Sequence, residues 1–150
     1  MARTRAEIDV VAVADALRPS LLRLGRELRR EARAIGASTE QIAILVTIKY
    51  SPGIGVAELA TRERVSKPAL SKLVKRLERD GLVERSPDER DRRRSGFRLT
   101  SEGHRLLRRV RSRRTAWLAT RLRALSAADA AALEAAVGPL SRLLHEEEGR

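Results

Sequence analysis

A chain of 150 residues with 42% hydrophobic content has enough apolar mass for one compact domain, or for two small lobes sharing a core. Its formal charge of +12 is spread along the chain rather than gathered in a tail, so an anionic partner is the first expectation, with nucleic acid ahead of an anionic membrane. The absence of cysteine excludes disulfides, thiolate metal sites and thiol redox sensing.

No apolar run approaches the roughly 20 residues that span a bilayer. MARTRAEID lacks the apolar stretch of a secretory leader, so a cytoplasmic protein without membrane contact is expected. The apolar residues are mainly Leu, Ala and Val, with Tyr50, Phe97 and Trp117 as the aromatics, which favours a mostly α chain. The first amphipathic pattern runs from about Val10 to Arg33. Pro19 interrupts it, which predicts a kink there or a helix that begins near Pro19. Ser38 and Gln41 have the spacing of a capping box, opening a helix to about Tyr50 that Ser51, Pro52 and Gly53 end. A short helix from Val56 to Glu63 points Leu59 and Ala60 inward. Arg64 and Val65 then turn the chain. Ser66 caps a helix that keeps Pro68 in its first turn and stops at Gly81.

Leu82–Arg85 and Gly96–Leu99 are short alternating stretches that bracket a charge run like the strands of a hairpin, with Pro87 and Asp88 as the turn signal. Thr100 or Ser101 starts a long helix to about Ala124, and Ser126 opens a last one to about Leu144.

On the helix after Ser66, Leu70, Leu73, Val74 and Leu77 recur at i, i+3, i+4, i+7 and form one apolar stripe. At roughly 100° per residue, Pro68, Lys72, Lys75 and Arg79 lie opposite, with Ser71 and Arg76 on the shoulders. A short helix, a tight turn and a second helix with a cationic outer face make a helix-turn-helix, whose second helix enters the DNA major groove. A hairpin directly after it makes the unit a winged helix. Arginines at a wing tip suit the narrow, negative minor groove. By this reading ERSPDERDRRRSGF is a wing, where composition alone would make it a solvated loop.

GVAELATRERVSKPALSKLVKRLERDGLVER, followed by DERDRRRSGFRLTSEG, resembles the MarR-type winged-helix transcription regulators over residues 39–103. The shared features are the ELA helix, the Ser-initiated recognition helix before GLVER, the wing Asp-Arg-Arg and the LT-x-x-G helix start. The resemblance implies a mainly α fold with a small β-hairpin: a winged helix-turn-helix at 39–100 and a helical dimerisation lobe from 1–38 and 101–150. It implies a homodimer on double-stranded DNA, most often a repressor of a pseudo-palindromic operator. A small, commonly phenolic effector would release the DNA, with Tyr50 and Trp117 the aromatics best placed to line its pocket. Position by position, Ser66, Lys67, Pro68, Ala69, Ser71 and Lys72 match the groove-facing stretch. Lys72, Lys75 and Arg76 become phosphate or guanine contacts, and Ser66 and Ser71 hydrogen bonders. Arg92 or Arg93 reaches the minor groove, Asp91 braces the wing, and Arg90 and Arg94 are further candidates. Lys75 stands where an acid is common, and Arg64 stands where the turn often has Gly.

No phosphate-binding Gly-rich loop and no catalytic constellation is visible, so neither enzymatic activity nor a cofactor is expected. His104 and His145 lack partners at metal spacing, and no metal is expected either. Glu58 and Glu63 read as solvated charge. In RLLRRVRSRR, residues 105–114, the arginines read as a solvated face, with extension of the DNA-facing field as the alternative. Two rival functions remain: an architectural, nucleoid-type protein that coats DNA without sequence preference, which the +12 charge would serve as well, and an enzyme or adaptor carrying an incidental winged helix, against which the missing catalytic constellation argues.

Overall fold

The computed structural model describes residues 8–87 and 95–145. Among these residues are six helices: α1 (Val10–Arg33), α2 (Thr39–Tyr50), α3 (Val56–Arg62), α4 (Lys67–Arg79), α5 (Ser101–Arg123) and α6 (Ala127–His145). One antiparallel hairpin, β1 (Val83–Pro87) and β2 (Ser95–Leu99), stands between α4 and α5. The chain divides into two units, residues 1–114 and 115–150. The mainly helical winged helix-turn-helix expected from the sequence is the fold observed.

Local chemistry accounts for most element ends. The Asp9 side chain accepts from the Ala12 N–H at 3.0 Å and starts α1 well before Pro19, so the helix does not begin at the proline. Pro19 removes the backbone donor that would reach the Asp15 carbonyl and its ring crowds that carbonyl, yet α1 continues through it from Val10 to Arg33. At α2 both arms of the capping box form: the Gln41 N–H donates to Ser38 Oγ at 3.2 Å, and the Ser38 N–H to Gln41 Oε1 at 3.0 Å. Ser66 caps α4 by accepting from the Ala69 N–H at 3.3 Å. Gly81, with φ +71°, ends that helix in the left-handed conformation.

The main core is built by α2, α3, α4 and the hairpin. Leu45, Ile48, Leu59, Leu70, Leu77 and Phe97 are all but inaccessible to solvent within it. The β1–β2 register pairs Val83 with Leu99 and Pro87 with Ser95. Pro87 is thus the last residue of β1 and not part of a turn, a position a strand end tolerates because no ladder donor is needed there. The far edge of β2 is also covered. The Phe97 N–H donates to the Ile54 carbonyl at 3.0 Å and the Gly53 N–H to the Phe97 carbonyl at 2.8 Å. The backbones approach so closely that a Cβ on Gly96 would lie 1.9 Å from the Gly53 oxygen.

The start of α5 is fastened to the end of α4. The Thr100 hydroxyl donates to the Gly81 carbonyl at 2.6 Å and accepts from the Gly103 N–H at 3.1 Å. A Cβ on Gly103 would lie 2.2 Å from the Leu82 oxygen, so only glycine allows this approach. Further along, Val110 joins Ala32, Ala37 and Ile42 in a second small core between α5, α1 and α2.

In residues 115–150, Ser126 caps α6 by accepting from the Asp129 N–H at 3.1 Å. The Arg121 guanidinium lies over the Trp117 ring, 3.5 Å from its centroid. None of residues 127–144 is buried, and Leu133, Val137, Leu143 and Leu144 are exposed. Among the described residues no helix is long and apolar enough to cross a membrane.

Candidate nucleic-acid interface

The α3–turn–α4 unit is held on α2 by polar side chains as well as by its core. The Thr47 hydroxyl of α2 donates to the Glu63 carboxylate. Arg62 donates to Ser51 Oγ at 2.7 Å and to Glu58 Oε1 at 2.6 Å. Glu58 is exposed and pairs with Arg62 one helical turn on, in keeping with the solvated charge the sequence suggested. Glu63 is half-buried and departs from that reading, because its partner Thr47 lies 16 positions away and only the folded arrangement brings it near. The turn itself is closed by the Arg64 N–H to the Thr61 carbonyl at 3.2 Å and the Val65 N–H to the Ala60 carbonyl at 3.0 Å. Arg64 takes φ +53°, the left-handed conformation, at a position where the sequence leaves the turn geometry open and glycine would suit.

α4 separates its faces cleanly. Leu70, Val74 and Leu77 are buried and Leu73 half-buried, so the predicted stripe faces the core. Ser66, Lys67, Pro68, Ala69, Lys72, Lys75 and Arg76 are exposed, and Ser71 is half-buried. The Ser66 oxygen is engaged as the helix cap, which leaves its hydroxyl proton as the group free to meet a partner.

Among the described residues, the acids at the end of this helix are taken up by arginines and do not pair with its lysines. Glu78 is held by Arg85 at 2.9 Å, and Asp80 lies 3.5 Å from Arg79. Among the described residues, Lys67, Lys72, Lys75 and Arg76 have no carboxylate within ion-pair distance. Lys72 and Lys75 lie on the outward face, Arg76 on its shoulder and Lys67 exposed in the first turn, a cationic surface of the kind that draws a polyanion.

The wing enters through its root. Arg85, within the charge run, is exposed but engaged: it pairs with Glu78 at 2.9 Å and lies 5.6 Å from the centre of the Phe97 ring, so it ties β1 to α4. Arg90, Asp91, Arg92, Arg93 and Arg94 lie outside the described residues. Ser86, which the sequence did not single out, is buried within the hairpin.

The arginine run on α5 divides in two. Arg113 pairs with Glu31 at 2.9 Å, and the Arg114 guanidinium donates to the Leu28 carbonyl at 3.1 Å, so these two bind α5 to α1. Arg105 pairs with Glu102, while Arg108, Arg109 and Arg111 are exposed. Arg113 stays exposed, in keeping with a solvated face, while Arg114 is half-buried, and the partners of both on α1 are invisible in local sequence. Tyr50 is exposed, with the Lys49 ammonium 5.2 Å from its ring centre, and belongs to the first unit. Trp117 is half-buried and belongs to the second. His104 is exposed. Among the described residues no group of His, Cys, Asp and Glu could hold a metal.

Comparison with known proteins covers this unit and much of the chain around it. The MarR family model matches residues 38–95. An HTH-type transcriptional regulator of Mycobacterium leprae is 30% identical over 107 residues, covering 71% of this chain and 75% of that protein. A transcriptional regulator protein from Pseudomonas aeruginosa, known from its crystal structure, is 34% identical, with a TM-score of 0.77 over 95% of this chain and 99% of that one. A mutant of MepR from Staphylococcus aureus, solved bound to an oligodeoxyribonucleotide, shares the fold at 21% identity, with a TM-score of 0.67 over 89% of this chain and 98% of that one.

Proposed function

The chain belongs to the MarR family of DNA-binding transcription regulators, and from that premise we propose that it is a repressor that binds a pseudo-palindromic operator as a homodimer and leaves it when a small effector binds. The observation that carries the reading is the charge separation on α4: three core residues inward, four cations without described carboxylate partners outward. Lys72, Lys75 and Arg76 serve as phosphate or guanine contacts, Ser66, Lys67, Pro68, Ala69 and Ser71 line the approach to the base edges, and the wing arginines contact the flanking minor groove. The MepR mutant solved with an oligodeoxyribonucleotide supports DNA as the partner of this fold.

The homodimer is supported by apolar surface. Leu17, Leu21 and Leu24 on α1, and Leu133, Val137 and Leu144 on α6, are exposed in the single chain. Residues 1–38 and 101–150 form the dimerisation lobe in this reading, and residues 39–100 the DNA-binding domain. An obligate interface of this kind buries about 2,000 Å² or more. Two copies then place their α4 helices in successive major grooves, about 34 Å apart. Effector release rests on family resemblance, with Tyr50 and Trp117 as the candidate aromatic contacts. Trp117 is the single tryptophan of the chain, so its fluorescence reports the binding of any effector near it.

The rival is an architectural protein that uses the +12 charge without reading sequence. Selection of binding sites from a random duplex library separates the two. A regulator enriches a two-fold site and prefers it over mixed DNA by about a thousandfold or more at physiological salt. A ratio near one establishes the architectural reading. A promoter carrying the selected site falls silent in the presence of the protein if the protein represses.

A further inference from the structure

Arg64 is, among the described residues, the one non-glycine residue with positive φ. At φ +53° an L side chain crowds its own backbone, and Gly or Asn would fit with less strain. The turn does not use the guanidinium in return. The backbone bonds that close it, from Arg64 to Thr61 and from Val65 to Ala60, need no side chain. Among the described residues the Arg64 side chain makes no hydrogen bond, ion pair or aromatic contact. Arg62, two positions earlier, shows the contrast: it is tied to Ser51 and Glu58.

The surroundings do not favour a lone cation. Arg64 opens an unbroken run of exposed residues through Ala69, which leads straight into α4. The first turn of α4 holds no acid and carries Lys67. The positive end of a helix favours anions, so two cations here raise the local potential of the free protein. A phosphate would lower it.

The geometry points to Arg64 as a DNA phosphate contact. The strained turn projects its guanidinium onto a backbone phosphate beside the groove that α4 enters, and so fixes the depth and register of that helix without reading bases. This inference rests on the DNA-binding reading of α4, and it adds a contact outside α4 and the wing. The bidentate fork of arginine suits such a contact, and its long stem spans the distance from the turn.

The test uses the full chain with Arg64→Gly, Arg64→Asn and Arg64→Lys, and a labelled mixed-sequence duplex of about 40 base pairs titrated over a range of salt. Gly and Asn both relieve the backbone and remove the charge. Each variant is expected to fold with an unchanged or higher melting temperature, to bind roughly threefold to tenfold more weakly, and to lose about one unit of the slope of log affinity against log salt. Arg64→Lys is expected to keep the slope. Unchanged affinity and slope in both neutral variants would overturn the inference while leaving the DNA reading intact. A loss in the Gly variant alone would also overturn it, by assigning the effect to turn rigidity. A wild-type chain that binds no duplex would remove the DNA reading itself.

Discussion

α4 and α6 are both striped helices, of 13 and 19 residues, yet they meet opposite fates. α4 buries Leu70, Val74 and Leu77 against neighbours within the same unit. α6 buries nothing between 127 and 144, and Leu144 keeps 77% of its surface open. Apolar periodicity says that a helix has a face to cover. It does not say whether the cover lies in the same chain. For α4 the cover is α2, α3 and the hairpin. For α6 the cover we propose is a second copy.

The contrast is broken most forcefully in the core. Leu45→Ala removes a fully buried side chain, and the expected loss is about 2–5 kcal/mol in urea unfolding, the same at every protein concentration. Val137→Lys, on the exposed stripe of α6, is expected to act differently: its deficit shrinks as protein concentration rises, because association is what it weakens. A Val137→Lys deficit independent of concentration would remove the second copy as the cover of α6.

Gly96→Ala is next in size. The added carbon meets the Gly53 carbonyl, a backbone atom that no side-chain rotation can move, and the expected cost is about 1–3 kcal/mol or more with loosening of the wing root. Lys72→Ala should leave the melting temperature nearly unchanged and weaken DNA binding by about 1–3 kcal/mol if the ammonium reads guanine, with preference lost at one base position. If every sequence weakens equally, Lys72 touches phosphate alone. Ser66→Ala removes the cap of α4 and should cost about 1 kcal/mol of thermal stability.

The smallest effect belongs to Glu40, at the exposed start of α2. Backbone and Ser38 hydrogen bonds, with a contribution from Arg33, hold its carboxyl below the usual carboxylate value. A depressed folded-state pKa means that its contribution is present at neutral pH and is lost as pH falls through that value. The melting curves of Glu40→Gln and the wild type should therefore differ slightly near neutrality and converge in acid.

Features that depend on neighbours in sequence are legible in the sequence itself. The Ser38–Gln41 box, the Ser66 cap, the Gly81 stop and the inward set of α4 each follow from residues a few positions apart. Features that depend on distant segments are not. Nothing local tells that Glu63 receives the Thr47 hydroxyl, that Arg113 and Arg114 of α5 reach across to α1, or that Gly96 must be bare because Gly53 passes beside it. Pro19 offers two outcomes in the sequence, a kink or a helix start, and α1 running from Val10 through to Arg33 excludes the start. Arg64 is legible as a departure from glycine, but only its φ shows that the chain keeps the glycine conformation without the glycine.

Thr100 has a mechanical consequence. One hydroxyl grips the carbonyl at the end of α4 and the first turn of α5, the Thr100 N–H holds the Leu82 carbonyl at 3.1 Å, and Gly103 lies against that same oxygen. Rotating the start of α5 against the end of α4 would have to break these bonds. Twisting the first turns of α5 drags the tail of α4 with it, so the two helices act as crank and shaft.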